Sequence, residues 1–392
     1  MAAEEDSRCI LSQELSPQSV TRTIVSVVMP VHNAAMYLDQ ALQSVVEQTY
    51  RPIELSIYDD CSTDTSRAVV ERWRVRLESA GIRLVVTTAA DWAEAEGSTK
   101  AQVVEDSLSV IQDVPSGMDV DNDNIIESPG PLGIGCARNR AVRASHGEYL
   151  CHLDADDFML PRRVELQLEA ARKRPRTLVG SRFTRTPQDS TPYYTRWING
   201  LSDERLVLEQ YRECTIICPT WFYRRACFDA VGGYVEERDN PEDLTFFNAH
   251  LDIGGRLHKV DEELVVYRYV PGSFSARTDK RALQRARLPF LERRVLWGWA
   301  RFTIWGAGKD GRRFLRDLSE GLAERVEAFC DVSARLVGRT YRFGARDVPI
   351  VHFSEARPPL VICVGTKNFG GAVEANIATL GLVEGRDFFH FA

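Results

Sequence analysis

Two hydrophobic periods alternate across residues 23–60, which read TIVSVVMPVHNAAMYLDQALQSVVEQTYRPIELSIYDD. The β-branched run Thr23–Pro30 is typical of a buried strand, and a second such run, Ile53–Tyr58, ends in two aspartates. Between them, Ala35–Thr49 has helical spacing, with one apolar face formed by Leu38, Ala41, Leu42, Val45 and Val46. A strand, a helix and a strand in this order predict the start of a parallel sheet covered by helices.

The same alternation continues downstream. A second helix is predicted behind the capping residues Ser62 and Asp64, and a third strand follows at Arg83–Thr87. A helix at Gly135–Ser145 and a strand at Glu148–Leu153 then resume the pattern. We therefore expect an α/β fold with a Rossmann-like, mostly parallel sheet.

Composition divides the chain into segments. We predict a flexible acidic tail at 1–22, a large α/β domain at 23–276, a basic helical linker at 277–298 and a small Rossmann-like α/β domain at 299–392. The large domain contains an insertion at 90–130 that is acidic and rich in Gly, Ser and Asn. We expect this insertion to be mostly disordered, with one short helix at Gln102–Ile111.

Charge and cysteine usage limit the classes to which the protein can belong. The 392 residues carry a net charge of −7, of which residues 1–20 contribute −3 and residues 90–130 contribute −9. The rest of the chain is +5, which excludes a strongly cationic binder but not an RNA partner. Nine scattered cysteines without a C-x-x-C pair, an acidic N-terminus and no apolar run of about 18 residues predict a reduced, cytoplasmic protein without a membrane span.

The small domain carries a glycine motif. Its predicted strand Phe302–Trp305 runs into Gly306–Gly311, which fits G-x-G-x-x-G, and Asp331 lies twenty residues beyond Gly311. This spacing is typical of dinucleotide-binding turns, as in an oxidoreductase or a nucleotide sensor. A tight structural turn and a tRNA-docking module are the alternatives. Further strands are predicted at Val326–Cys330, Val348–His352 and Leu360–Val364.

Carboxylates cluster at the end of a predicted strand, in the sequence Leu153-Asp154-Ala155-Asp156-Asp157. Ligands of open α/β sheets bind outside the carboxyl ends of strands. Carboxylates two residues apart can converge on one hard cation, Mg²⁺ or Mn²⁺, which in turn neutralises a diphosphate. A solvated turn is the alternative interpretation of the bare motif.

Other strand ends and loops carry polar candidates. Asp59-Asp60 ends the second strand, where a carboxylate could accept a hydrogen bond from a nucleobase N–H or a ribose hydroxyl, or cap the next helix. The loop residues Pro30-Val31-His32-Asn33 would offer backbone groups to the same ligand. Arg138 follows two glycines at a helix start, which suits an anion site, although a surface arginine is the alternative.

Two acidic residues and several aromatic residues lie further along. Glu242 and Asp243 precede an apolar run, a pattern that fits either a helix N-terminus or a general base aimed at an acceptor hydroxyl. Trp221 and the run Tyr267–Tyr269 could stack on a sugar or a base, although packing in the core or a strand is the default for aromatic side chains.

Four motifs, in this order, resemble the inverting family 2 glycosyltransferases. They are Val25–Asn33, Tyr58–Asp64, Gly135–Asn139 and Leu153–Asp157. The resemblance covers about residues 23–275 and implies a GT-A fold and a nucleotide-sugar donor. It also implies that the uridine is held by Pro30, Val31, Asn33 and Asp59 or Asp60.

The same resemblance implies roles for the remaining candidates. Arg138 would lie on the diphosphate side, Asp154 and Asp156 would face the ribose and a metal ion (Mn²⁺ or Mg²⁺), and Asp157 would support them. The carboxylate of the Glu-Asp pair is the base in that family, so Asp243 is expected to be catalytic, with Glu242 in reserve. Relatives often have a histidine where this chain has Val270, so water would complete the ligands of the metal.

Further segments resemble one branch of that family, which transfers galactose from UDP-galactose to queuosine in the anticodon of cytosolic tRNA. They are Tyr194–Asn199, Pro219–Phe222, Pro241–Leu244, Phe302–Trp305, Ala328–Val332 and Phe388–Phe391. A tRNA acceptor requires basic surface. The first candidate patch is Arg172–Arg174 with Arg176, Arg182 and Arg185, and the second is Arg277, Lys280, Arg281, Arg285, Arg287, Arg293 and Arg294. The alternatives are N-acetylglucosaminyl transfer from UDP-GlcNAc to a glycan or protein, and a pure tRNA-binding module.

Overall fold

The computed structural model describes residues 22–93, 130–238, 240–273, 278–365 and 371–391. These residues form an eight-stranded sheet in the N-terminal part of the chain and a six-stranded sheet in the C-terminal part. The predicted tail, except Arg22, the predicted helix Gln102–Ile111 and most of the acidic insertion lie outside the described residues. Residues 89–93 are helical, so regular structure runs a few residues into the segment predicted to be disordered.

The first sheet confirms the mostly parallel α/β fold. Its strands are β1 (Val25–Val31), β2 (Ile53–Asp59), β3 (Ile82–Thr88), β4 (Tyr149–His152), β5 (Phe158–Met159), β6 (Thr177–Thr186), β7 (Phe222–Arg224) and β8 (Arg256–Arg268). They lie in the order β3-β2-β1-β4-β7-β6-β8-β5. Strands β1 to β4 are parallel, β7 is antiparallel to both β4 and β6, and β6 is parallel to β8. The carboxyl ends of β1, β2, β4, β6 and β8 therefore meet at one edge of the sheet.

Helices cover both faces of this sheet. They are α1 (Ala35–Val46), α2 (Ser66–Ser79), α3 (Ile134–Arg143), α4 (Arg163–Lys173), α5 (Pro192–Gly200), α6 (Asp203–Leu208), α7 (Arg225–Val231) and α8 (Glu242–Asp252). Every residue of β1 is buried, as its continuous apolar sequence requires. Val27 and Met29 pack with α1 and α2 on one face, and Val28 packs with α3 on the other.

Helix α9 (Lys280–Arg294) lies in the predicted basic linker, but it packs against both parts of the chain. Leu288 and Leu291 belong to the same hydrophobic core as Phe302, the first residue of the C-terminal sheet. On the other side, Arg294 donates a hydrogen bond to Asp252, the last residue of α8, at 2.8 Å. The helix is therefore a packed element that joins the two sheets.

The C-terminal sheet has its own hydrophobic core. Its strands are β9 (Phe302–Trp305), β10 (Val326–Asp331), β11 (Thr340–Phe343), β12 (Arg346–His352), β13 (Leu360–Ile362) and β14 (Phe388–His390), and its helices are α10 (Lys309–Asp317), α11 (Glu320–Ala323) and α12 (Ala372–Thr379). The strand order is β11-β12-β10-β9-β13-β14, in which all pairs except β11–β12 are parallel. The glycine motif lies between β9 and α10, at the point where the strand order reverses.

Contacts within the chain account for the glycine motif. The carboxylate of Asp331 accepts hydrogen bonds from the backbone N–H of Ala307 at 2.8 Å and of Ser333 at 2.9 Å. A Cβ atom on Gly311 would lie 1.8 Å from the carbonyl oxygen of Gly306. The glycine permits this close packing of helix on strand, and Asp331 secures the turn.

Two observations bear on the expected compartment. All eight cysteines within the described ranges are free thiols, and seven of them are buried. In that same part of the chain, no helix combines the length and the apolar character needed to cross a membrane.

Candidate active site

The carboxylate turn lies at the carboxyl end of β4, as the sequence predicts. The backbone N–H of Asp157 donates a hydrogen bond to the carbonyl of Asp154 at 3.0 Å, which closes the turn. The last residue of β8 holds the turn from the other side. The backbone N–H of Arg268 donates to the buried carboxylate of Asp157 at 2.7 Å, and its Nε donates to the carbonyl of Asp156 at 2.8 Å. Asp157 thus supports the turn.

Negative charge is concentrated in this turn. Burial and the neighbouring Asp154 carboxylate raise the pKa of Asp156 to about 6. Burial and the charges of Asp156 and Asp154 hold the pKa of Asp157 well above its usual range. The Oδ2 atom of Asp157 is buried without a hydrogen-bond partner among the described residues. Repulsion between carboxylates and an unsatisfied oxygen are the conditions that a divalent cation relieves.

The donor atoms in this turn fit Mn²⁺ or Mg²⁺, although the protein offers few ligands. Asp154 and Asp156 supply hard oxygen ligands, and Val270 supplies none. Within the described ranges, no group of three or more His, Cys, Asp or Glu side chains is arranged to hold a metal ion. Two carboxylates suffice for a cation that takes its other ligands from substrate phosphates and water.

Arg138, on α3, connects the carboxylate turn to the start of α8. Its guanidinium donates to Asp154 Oδ1 at 2.9 Å and also forms an ion pair with Glu242. The side chain is almost fully buried. The resemblance implied that Arg138 lies on the diphosphate side, which stays a prediction, and the structure shows that two protein carboxylates pair with it. This position fits a residue that fixes the distance between the two halves of the site.

A glycine allows this close approach. A Cβ atom on Gly135, one turn before Arg138 on α3, would lie 2.0 Å from the carbonyl oxygen of Val235. The segment that leads to Glu242 can therefore pack directly on α3. The glycine that the sequence suggested for an anion site serves helix packing.

The two acidic residues at the start of α8 differ in their surroundings. Glu242 is buried and paired with Arg138, and burial raises its pKa to about 7 against the opposing effect of the guanidinium. Asp243 is half-buried, and its Oδ1 atom accepts a hydrogen bond from the backbone N–H of Leu244 at 2.6 Å. Burial raises its pKa, and Arg138 again opposes this effect. No ion pair within the described ranges involves Asp243, whereas Glu242 is paired with Arg138.

At the end of β2, the two aspartates have separate roles. The carboxylate of Asp60 accepts hydrogen bonds from the backbone N–H groups of Leu132 and Gly133, both at 2.8 Å, and so anchors the loop before α3. Asp59 has one oxygen 3.9 Å from Arg67, and its Oδ1 atom is buried without a hydrogen-bond partner among the described residues. Asp59 is therefore the aspartate that can accept a hydrogen bond from a ligand.

The first loop mainly organises its neighbours. Pro30 and Val31 are buried within β1, and the carbonyl of Val31 accepts a hydrogen bond from Asp60. Asn33 adopts a positive φ of 49°, and its side-chain oxygen accepts hydrogen bonds from the backbone N–H groups of Thr63 and Asp64. Asn33 thus ties two loops together at the site.

Trp221 does not present a surface to a ligand. The side chain has 0% exposure, and its indole N–H donates to the carbonyl of Ile216 at 2.7 Å. The ring stacks on Tyr234 and packs against Phe246. Of the two interpretations that the sequence allowed, packing in the core is the one that the structure shows, so any support that Trp221 gives to the site acts through the core.

The sequence alone predicts no role for Arg268 and no bridging position for Arg138. The run Tyr267–Tyr269 was the signal for Arg268, although it drew attention to the tyrosine rings and not to the arginine between them. No local pattern indicates Arg138 as a bridge, because its partner Glu242 lies 104 residues away in the chain.

Comparisons with known proteins agree with this geometry. The family model described as "Glycosyl transferase family 2" matches residues 26–94 and 111–232, which include the strand ends of β1, β2 and β4. The chain is 24% identical over 262 residues to a putative teichuronic acid biosynthesis glycosyltransferase, TuaG, of Bacillus subtilis, which covers 67% of this chain and 85% of that protein.

Two other proteins show weaker similarity. The uncharacterized glycosyltransferase EpsJ of Bacillus subtilis is 22% identical over 64% of this chain and 63% of its own length, so the match spans less than two thirds of EpsJ. The crystal structure of S. aureus TarS 1-349 in complex with UDP-GlcNAc aligns with 76% of this chain and 71% of that chain, at 17% identity and a TM-score of 0.45.

The family match, the parallel sheet and the carboxylates at its strand ends lead to one conclusion. The sheet has the GT-A arrangement, and the matched residues include Asp59, Arg138 and the carboxylate turn, whereas the start of α8 lies beyond them. The chain therefore has a family 2 glycosyltransferase domain and is a hexosyltransferase that uses a nucleotide-sugar donor.

Proposed function

We propose that this chain is an inverting glycosyltransferase that transfers galactose from UDP-galactose to a hydroxyl group of queuosine in the anticodon of a cytosolic tRNA of the tRNA-Tyr type. The observation that carries the catalytic part is the buried bridge Asp154–Arg138–Glu242. This bridge holds the carboxylate turn and the start of α8 at one site, so a donor bound at the turn and a base on α8 can act on the same substrate pair.

The reaction assigns Asp243 as the base. Its carboxylate accepts the proton of the acceptor hydroxyl while the oxygen forms a bond to the anomeric carbon of the sugar. The bond from that carbon to the diphosphate breaks, and UDP leaves with the electron pair. Attack on the face opposite UDP inverts the anomeric configuration. Glu242 does not serve as the base here, since its charge is paired with Arg138.

The donor nucleotide would lie along the ends of β1, β2 and β4. Asp59 Oδ1 would accept a hydrogen bond from the uracil N–H, since this oxygen lacks a partner within the described residues. Pro30, Val31 and Asn33 shape the adjoining loop, and Asp60 fixes the segment that leads into α3. A divalent cation held by Asp154 and Asp156 would neutralise the charge of the departing diphosphate.

Support for the acceptor comes from the sequence. The segments that resemble queuosine-modifying galactosyltransferases extend from the first domain into the C-terminal sheet, as in Tyr194–Asn199 and Phe388–Phe391. A tRNA acceptor would place the protein in the cytoplasm. The name of the relative TuaG refers to teichuronic acid biosynthesis and not to tRNA, so N-acetylglucosaminyl or other sugar transfer to a glycan or protein is the alternative.

One experiment separates these possibilities. The full chain is incubated with total tRNA that contains queuosine, with each UDP-sugar in turn and with Mn²⁺ or Mg²⁺, and the nucleosides are analysed by mass spectrometry. We expect queuosine to gain one hexose with UDP-galactose only. Total tRNA from cells grown without queuine is the matched control. Absence of a hexose on queuosine with every donor would overturn the proposal.

A further inference from the structure

Helix α5 and the first half of α9 pack on a hydrophobic cluster that also includes the start of α8, where the proposed base lies. Tyr194 of α5 and Leu283 of α9 pack on the same hydrophobic cluster, and Tyr194 is close enough to Arg287 of α9 to affect its pKa. The same cluster includes Leu244, whose backbone N–H donates a hydrogen bond to Asp243. The charge of Glu213 acts on both Tyr194 and Asp243. An acceptor bound across α5 and α9 would therefore lie on the same face of the sheet as the start of α8.

Arg185, at the end of β6, has an unusual environment on this side of the site. Its guanidinium lies 3.8 Å from the ring centroid of Tyr267 and also faces Phe183 and Tyr194. It forms no ion pair among the described residues, and its Nε atom is buried without a hydrogen-bond partner there. It pairs with Tyr267 across β6 and β8, next to Arg268, whose backbone N–H binds Asp157 in the carboxylate turn. Such a guanidinium is suited to a phosphate group.

Exposed aromatic side chains flank Arg185. Tyr193 of α5 is 76% exposed, with the guanidinium of Arg196 6.0 Å from its ring. Tyr269 is 41% exposed and follows Arg268, whose backbone binds Asp157. Exposed tyrosines next to arginines are the side chains on which unstacked bases of single-stranded RNA pack.

The positive charge of α9 is divided along the helix. Arg287, Arg293 and Arg294 are engaged with the protein: Arg287 donates to the carbonyl of Tyr211, and the other two pair with Asp252. In contrast, Arg281 and Arg285 are exposed and form no ion pair within the described ranges. Only the half of the helix beside α5 therefore presents free cationic groups.

The first basic patch proposed from the sequence is not continuous. Arg172–Arg174 end α4 and Arg176 precedes β6, whereas Arg185 lies near the other end of that strand. Nine residues of extended chain separate Arg176 from Arg185, which corresponds to roughly 30 Å. Arg182, between them, pairs with Asp261 and Glu263. Of this patch, Arg185 remains next to the site.

We propose that a basic and aromatic surface, formed by Arg185, Tyr193, Arg196, Tyr269, Arg281 and Arg285, binds the single-stranded loop of the acceptor tRNA. Tyr193 and Tyr269 stack on bases that flank the modified nucleotide, and the arginines bind backbone phosphates. The inference rests on the proposed function and extends it, because it names the surface that recognises the acceptor. Segments 185–200 and 278–286 carry five cationic side chains against two carboxylates, Asp189 and Asp279, which matches a phosphate backbone.

The test measures the affinity of the full chain for a labelled anticodon stem-loop that carries queuosine. We expect the double variant Tyr193→Ala/Arg196→Ala to bind at least about tenfold more weakly, since one stacking partner and one phosphate contact are lost. We expect Arg281→Ala/Arg285→Ala to reduce the slope of log affinity against log salt by roughly 1.4. Arg174→Ala, at the opposite edge of the sheet, is the matched control and should bind as the unaltered chain does.

The affinity for UDP is measured as a control for folding. We expect it to be unchanged in all the variants. The proposed surface would be wrong if both double variants bound the stem-loop within twofold of the unaltered chain. It would also be wrong if the unaltered chain showed no detectable binding. If the unaltered chain binds the stem-loop with the expected losses in the variants but adds no hexose to queuosine, the surface stands and the proposed transfer fails. If it adds the hexose while the variants keep their affinity, the transfer stands and the surface fails.

Discussion

The two sheets of this protein use similar turns in different ways. In each, a strand ends next to a helix that begins at glycines, and an aspartate accepts two backbone hydrogen bonds that secure the turn: Asp60 in the first sheet and Asp331 in the second. In each, one glycine allows the helix to approach another backbone closely, at Gly135 and at Gly311. The local architecture of the two turns is therefore alike.

The two turns differ in the carboxylate oxygens that remain without a hydrogen-bond partner. At the edge of the first sheet, Asp59 and Asp157 each have a buried oxygen without a partner among the described residues, and Asp156 is held beside Asp154 with a raised pKa. At the described ends of β9 and β10, no carboxylate oxygen is buried without a partner. Buried polar groups that lack a hydrogen-bond partner within the protein indicate a place where a ligand can bind. The contrast assigns chemistry to the first sheet and structural support to the second, and the following substitutions test it.

The largest effect is expected for Asp243→Asn. The amide cannot accept the proton of the acceptor hydroxyl, and general base catalysis contributes about 100- to 10,000-fold to a rate. We expect the transfer rate to fall by about 1,000-fold while the affinity for UDP and the melting temperature stay within error of the unaltered protein. The measurement is sugar transfer under single-turnover conditions. Transfer within tenfold of the unaltered enzyme would remove Asp243 as the base.

A second large effect is expected for Asp156→Ala. This variant loses a carboxylate that would hold the cation beside the diphosphate, and we expect transfer to fall by about 100-fold or more. The concentration of Mn²⁺ needed for half-maximal activity should rise as well. Chelation of the metal with EDTA should abolish transfer by the unaltered enzyme. Retention of activity in EDTA would show that the carboxylates act without a cation.

An intermediate effect is expected for Arg138→Gln, which removes the bridge. The buried Glu242 and the partly buried Asp154 lose their partner, so the free energy of unfolding should fall by about 3 kcal/mol, as measured by urea denaturation. Arg138 also lowers the pKa of Asp243, which burial raises. The base must be deprotonated, so activity falls as the pH drops through this pKa, and its loss moves to higher pH in the variant. An unshifted acidic limb in the profile of kcat/KM against pH would refute the electrostatic role.

The smallest effect is expected for Asp331→Asn in the second sheet. The asparagine retains one acceptor oxygen, so the turn should lose about 1 kcal/mol of stability, visible as a small decrease in melting temperature. Transfer should stay within twofold of the unaltered enzyme. A loss of transfer comparable to that of Asp156→Ala would mean that the glycine motif takes part in the reaction, and the contrast between the two sheets would fail.

The sequence predicted the elements of the fold well. Phe302–Trp305 is a strand with the predicted bounds, and β1, β2, β4 and α3 differ from prediction by one or two residues at their ends. Hydrophobic periodicity and β-branched runs are local properties, so the sequence reveals them directly. The place of the carboxylate turn followed from the same logic, because it comes immediately after a predicted strand.

Predictions about individual side chains were less complete. Asp59 and Asp60 were both candidates for binding the nucleotide, and hydrogen bonds to the chain engage only Asp60. Glu242 and Asp243 were both candidates for the base, and Arg138 forms an ion pair only with Glu242. Trp221 was proposed near the site and lies in the core. Each outcome depends on a partner from a distant part of the chain, which no local pattern can show.

The sequence by itself determined which segments form strands and helices and that acidic residues follow the strands of a parallel sheet. These properties depend on the order of apolar and polar residues within a few turns or strands. Only the tertiary structure decided which acidic groups are neutralised and which remain available. The reason is physical: burial and the distance to an opposite charge set the protonation and the hydrogen bonding of a carboxylate, and packing between distant segments sets both.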